Sequence, residues 1–191
     1  MEYHIWGARR DKLERPDRMV FDLDPDEGLG FDEVKRAAFE VREGLEACGF
    51  DSAPMVTGGK GVHVIVPLRR IAEWDRVKEF AKGFAQSLAG KAPDRYTATM
   101  SKEKRKGKLF LDWLRNERGA TAIAPYALRA RTGAAVAVPV SWDELEGLDR
   151  PDGFHVDDME DRLSRACPLG EVKAQGLGKA AMDALEDWAG G

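Results

Sequence analysis

Residues 19–24, MVFDLD, set bulky apolar side chains and acids at a period of two, with Phe21 and Leu23 pointing one way and Asp22 and Asp24 the other. That alternation predicts a short strand with one face in a core and the other presenting carboxylates. Pro25 closes it. Two acids spaced by one residue on a strand lie about 7 Å apart along the chain, so both can reach one cation.

Working outward, residues 31–48 carry Val34, Ala37, Ala38, Val41 and Leu45 at helical spacing and stop at Gly49, which predicts a crossover helix. Residues 53–57 and 61–67 read as two extended pieces around TGGKG, the second (GVHVIVP) rich in β-branched residues. A second amphipathic helix is expected over residues 74–88, with Val77, Phe80, Ala81, Phe84 and Leu88 on its apolar side. Residues 108–114, KLFLDWL, predict another strand, with Leu109 and Leu111 opposite Phe110 and Asp112. Residues 135–140 suit an edge strand, since Pro139 would interrupt a central one. Helical segments are expected near residues 156–164 and 179–188. Interleaved helices and strands imply a two-layer α/β or α+β fold.

A chain of 191 residues that is 43% hydrophobic and 34% charged has the balance of a folded domain. One compact unit with a mobile tail is expected. With Cys48 and Cys167 alone and no CxxC pair, neither a disulfide framework nor a zinc site is supported. No apolar run reaches the ~20 residues of a membrane span, so a cytoplasmic protein without a membrane partner is expected.

The net charge of −4 would argue against a phosphate-rich partner if it were evenly spread. It is not. Residues 102–131 hold nine basic side chains against Glu103, Asp112 and Glu117, a local +6, so the remainder carries −10. From Ser141 onward thirteen acids face five basic residues, which makes that segment a poor nucleic-acid surface. Function is expected upstream of it.

Three features carry chemistry. Asp22 and Asp24, joined by Asp112 from another strand, form a set of hard oxygen donors suited to a divalent pair that activates a hydroxyl and neutralises a transferring phosphate. Taken alone, each acid is more often a solvated strand end. The loop Thr57-Gly58-Gly59-Lys60-Gly61 offers uncovered backbone N–H groups, a hydroxyl and an ammonium to phosphate oxygens, with His63 two residues further on. Alone it also reads as a glycine turn. The run SKEKRKGK and Arg129 and Arg131 of PYALRAR are phosphate candidates by charge and by guanidinium geometry.

Taken jointly, VFDLDPDEGLGF, TGGKGVHVIVPL, KRKGKLFLDWLRN, ATAIAPYALRAR and AVAVPVSWDEL resemble, in order across roughly residues 4–146, the polymerase domain of bacterial ATP-dependent DNA ligase D, of the archaeo-eukaryotic primase superfamily. The resemblance implies an α+β fold of the primase type, an RRM-like mixed or antiparallel sheet flanked by helices. It implies template-directed transfer of ribo- or deoxyribonucleotides from NTP or dNTP to a primer 3′-hydroxyl, with two Mn²⁺ or Mg²⁺ ions, in end joining or gap repair.

By motif position Asp22, Asp24 and Asp112 would be the metal ligands and catalytic acids, and Thr57, Lys60, His63, Arg105 and Arg129 would hold the nucleotide. Lys102, Lys104, Lys106 and Lys108 would contact primer-template or gapped DNA, with end-joining proteins as further partners. Residues 1–150 would form the catalytic core and 151–191 an acidic helical extension. Compared with the family, the segment usually found ahead of Ile5-Trp6-Gly7 is expected to be missing. A non-catalytic nucleic-acid- or nucleotide-binding module on the same fold is the alternative from another class, and a metal-dependent nuclease a third.

Overall fold

The computed structural model describes residues 2–191. The strands are β1 (His4–Trp6), β2 (Arg18–Pro25), β3 (Ala53–Val56), β4 (Val62–Pro67), β5 (Tyr96–Thr97), β6 (Leu109–Asp112), β7 (Thr121–Ile123) and β8 (Val138–Pro139). The helices are α1 (Phe31–Ala47), α2 (Trp74–Lys91), α3 (Trp142–Gly147), α4 (Met159–Ser164), α5 (Pro168–Glu171) and α6 (Lys179–Gly190). Six strands make one sheet in the order β5-β6-β2-β4-β3-β8, antiparallel throughout except for β5 with β6. The remaining two, β1 and β7, pair antiparallel as a separate ribbon.

The alternation of β2 decides which face is covered. Met19, Phe21 and Leu23 are completely or almost completely buried in the main core with Val62, Val64 and Val66 of β4 and Leu109 and Leu111 of β6. Helices α1 and α2 cover that face with the apolar stripes expected from their spacing, Val34 to Leu45 and Val77 to Leu88. Gly49 follows α1 at φ 83, and its N–H donates to the Glu46 carbonyl, ending the helix as glycine commonly does. The opposite face is covered only in part. There Val20, Met55 and Ile65 pack against Ile123, Ala127 and Ala137. The rest stays open, and the acids lie on it.

Three details differ from the sequence reading. The strand expected over residues 108–114 stops at Asp112, because the Leu114 N–H donates to Asp112 Oδ1 at 2.8 Å and the chain turns into a 3-10 helix, Leu114–Asn116. β6 therefore ends beside Asp22, and the edge of β2 beyond it needs another partner. Asn116 supplies it: its amide accepts from Val20 N–H at 2.8 Å and donates to Val20 C=O at 2.7 Å, continuing the ladder with a side chain.

The expected edge strand is only two residues long, but β8 does lie at the sheet edge with Pro139 in it. The expected mobile tail is instead docked. Leu177, Ala181 and Leu185 join the main core, and Trp188 stacks on Phe84 with ring centroids 4.8 Å apart. Gly44 of α1 lets the indole come this close, since a Cβ there would lie 2.8 Å from Trp188.

Candidate active site

Strand register assembles the acids. Asp22 lies directly across from Asp112 of β6 on one side and from His63 of β4 on the other. Directly paired residues share a face of the sheet, and Asp24, two positions along, shares it too. A row Asp112–Asp22–His63 with Asp24 beside it thus follows from pairing alone.

Arginines and a histidine already sit against these carboxylates. Arg115, one turn beyond β6, donates from Nε and Nη2 to Asp22 Oδ2 at 3.1 and 3.0 Å, and its Nε lies 3.4 Å from Asp112 Oδ2. His63 Nε2 sits 3.4 Å from the other oxygen of Asp22, while His63 Nδ1 is buried without a partner. Arg105 pairs with Asp24 and stacks over the Phe110 ring at 4.4 Å.

Burial resists ionisation of Asp22, yet the adjacent His63 and Arg115 outweigh it and hold its carboxyl down at about 2. Asp112 moves the other way. Burial raises it, the Leu114 N–H works against that, and the charge of Asp22 pushes it up further. The two facing carboxylates are thus shifted in opposite directions.

The glycine loop stands over this row. Thr57 Oγ1 donates to the Gly61 carbonyl at 3.0 Å, closing the loop on itself. Gly61 passes so near β2 that a Cβ would overlap the Leu23 carbonyl oxygen, and Gly58 has φ 65 with Arg129 packed above it. Lys60 is exposed at the tip. Arg129 reaches back to the Thr57 carbonyl at 2.6 Å and to Glu2 Oε1 at 3.0 Å.

Asp22, Asp24, Thr57, Lys60, His63, Arg115, Arg129 and Arg131 line one cavity of about 420 Å³. Substituting Gly61 with alanine should pry the loop from β2, costing about 1–3 kcal/mol of stability. Thermal melts check this, and an unchanged melt would contradict the close approach.

The basic run does not converge on the acids as a block. Arg105 turns in to Asp24, but Lys104, Lys106 and Lys108 line a different cavity of about 460 Å³ beside Tyr96 and Thr97, and Lys102 lies in the exposed turn. Lys108 Nζ donates to the Pro93 carbonyl at 2.7 Å.

Sequence reasoning missed three members of the site. Arg115 figured only as part of the basic stretch, although its spacing of three from Asp112 places it over that acid once a 3-10 turn intervenes. Glu2 and His4 reach the cavity wall and Arg129 from the far end of the chain, through the β1–β7 pairing. His4 and Arg129 beside Glu2 hold its carboxyl at about 2. No local pattern announces that pairing.

As the side chains stand, no group of three or more His, Cys, Asp and Glu among the described residues is arranged to hold a metal ion. The donor chemistry nevertheless fits a hard divalent cation: three carboxylates share one face of the sheet. Among the described residues no helix is long and apolar enough to cross a membrane.

The fold is a mixed α+β arrangement of the primase type. A solved structure described as the polymerase domain from Mycobacterium tuberculosis ligase D in complex with DNA matches it with a TM-score of 0.73 and 37% identity, covering 79% of this chain and 52% of that one. A sequence model described as LigD, primase-polymerase domain, matches residues 1–169, and the chain belongs to that family.

The chain is 41% identical over 163 residues to the multifunctional non-homologous end joining protein LigD of Pseudomonas aeruginosa. It is 40% identical over 167 residues to the protein of that name from Mycolicibacterium smegmatis. Each alignment covers 85% of this chain but only 19% and 22% of the relatives, so the chain spans about a fifth of their length.

Proposed function

We propose that this chain is a template-directed nucleotidyltransferase that adds ribo- or deoxyribonucleotides to a primer 3′-hydroxyl in DNA end joining or gap repair. The observation that carries the reading is the cross-strand row Asp112–Asp22–His63, with Asp24: Asp22, Asp24 and His63 line a cavity whose other walls include the Thr57–Gly61 loop, Lys60, Arg129 and Arg131, and Asp112, outside that lining, stands directly across from Asp22. Family membership, and the printed descriptions of the relatives as end-joining proteins and of the structural neighbour as a DNA complex, support the same reading.

In this reading Asp22, Asp24 and Asp112 hold two divalent ions, Mn²⁺ or Mg²⁺. When bound, such ions lower the pKa of an attacking hydroxyl and neutralise charge on the transferring phosphate. The chain's own residues bind and orient. Backbone N–H groups of residues 58–60 and the Lys60 ammonium receive the triphosphate tail, and Arg129 clamps it, exchanging its contact with Glu2 for phosphate oxygens. His63, in the cavity wall, donates from Nε2 to phosphate or sugar, giving up its contact with Asp22 to do so. Positioning and electrostatic stabilisation are the main work in phosphoryl chemistry, so these cations matter nearly as much as the acids. Lys104, Lys106 and Lys108, facing away from the acid row, are placed to follow a nucleic-acid backbone on the neighbouring surface.

Primer extension with Mn²⁺ on gapped, recessed and single-stranded templates, comparing NTPs with dNTPs, tests the reading. Incorporation directed by the template is expected. Binding of nucleotide and DNA without incorporation on any substrate would make the chain a binding module instead. Arg129→Ala should weaken nucleotide binding by about tenfold and DNA binding less. Equal weakening of both would remove Arg129 from the triphosphate.

A further inference from the structure

Arg115 competes geometrically with any cation for the acids it holds. Its guanidinium takes Asp22 Oδ2 through two N–H groups and leans on Asp112 Oδ2 at 3.4 Å, so it spans the two carboxylates that face each other across β2 and β6. A guanidinium seated there takes one lone pair of each of those oxygens and sets a full positive charge on the approach to them, so a divalent ion meets its repulsion unless it moves aside. The second Asp22 oxygen is already beside His63, and Asp112 Oδ1 accepts the Leu114 N–H.

Like charges directly opposite one another in a sheet are destabilising, and one planar, delocalised cation bridging them offsets that repulsion better than an ammonium would. The same guanidinium is anchored lightly. Its side chain is 39% exposed, its remaining contact is the Thr121 carbonyl at 3.4 Å, and it forms part of the cavity wall shared with Lys60 and Arg129. It has somewhere to go.

We propose that Arg115 is a resident counter-cation: it neutralises the Asp22–Asp112 pair when no divalent ion is bound, and a divalent ion must displace it to occupy those acids. The inference rests on the assignment of Asp22, Asp24 and Asp112 as metal ligands. Its consequence is that the chain binds divalent ions more weakly by itself than its acids would allow. The affinity is reduced because the competent arrangement is only one of two. Phosphate oxygens arriving in the cavity offer the released guanidinium a new bidentate partner, so nucleotide and metal binding should favour each other.

Direct titration of Mn²⁺ by electron paramagnetic resonance, without nucleotide or DNA, reads this on the wild-type chain, Arg115→Met, Arg115→Lys and Asp22→Ala. Arg115→Met should bind Mn²⁺ about tenfold or more tightly than wild type. It should also melt lower in the absence of Mn²⁺ and gain more from its addition. Arg115→Lys, which keeps the charge but loses the planar fork, should shift affinity in the same direction by less, and it carries the test if Arg115→Met does not fold. Unchanged or weaker Mn²⁺ binding in both variants would overturn the exchange and make Arg115 a residue that positions the acids. Mn²⁺ binding unaffected by Asp22→Ala would instead sink the ligand assignment, and the exchange with it.

Discussion

Asp22→Ala is expected to lower primer extension by about a thousandfold or more while the chain stays folded, and Asp24→Ala should do the same. Asp22 stands at the centre of the row, across from both Asp112 and His63, so its loss removes the carboxylate that Arg115 and His63 both address. The fold survives because β2 is held by Met19, Phe21 and Leu23 on the other face, none of which moves with the acid. Removing Asp22 also relieves its repulsion of Asp112, so stability should change little even though Arg115 and His63 lose a partner. Single-turnover extension with Mn²⁺, beside a melting curve, separates the two effects. Undiminished extension in either variant would refute the assignment.

Asn116→Ala is expected to have the largest effect on stability, about 2–4 kcal/mol. The residue is 2% exposed and touches no wall of the acid cavity, yet it satisfies both polar groups of Val20 where β6 has stopped. Alanine would leave a buried N–H and a buried C=O of the central strand without partners, and each such group costs ~1–3 kcal/mol. It would also free the turn that carries Arg115. Urea unfolding should show the loss as a lower midpoint with an unchanged slope. A loss below about 1 kcal/mol would mean that water replaces the amide at little cost.

Much of this architecture was legible in the residues because it obeys local periods. The acids alternate with Phe21 and Leu23, the two long helices carry their apolar stripes at the expected spacing, and Gly49 marks a helix end. Cross-strand order is a different matter. Periodicity places Asp22 and Asp112 on strand faces, but only the pairing β6-β2-β4 sets them side by side.

What the residues concealed was long-range or directional. β1 and β7 are three residues each and lie more than a hundred positions apart, too short to show a period, and they bring Glu2 and His4 to the cavity. A run of lysines and arginines states its charge but not its aim, so Arg105 turned inward while three lysines faced another cavity. Arg115 became visible only once the strand was seen to end at Asp112 and curl back. The acidic tail looked detached by charge, yet its apolar side, Ala181, Leu185 and Trp188, is what docks it.

Anomalous diffraction from crystals grown with Mn²⁺ and a nucleoside triphosphate decides whether these acids hold metal. Manganese is expected on carboxylate oxygens of Asp22 and Asp24, with Asp112 on the same ion pair, and the triphosphate between Lys60 and Arg129. A nucleotide seated in that cavity with no manganese on the three acids would contradict the ligand assignment.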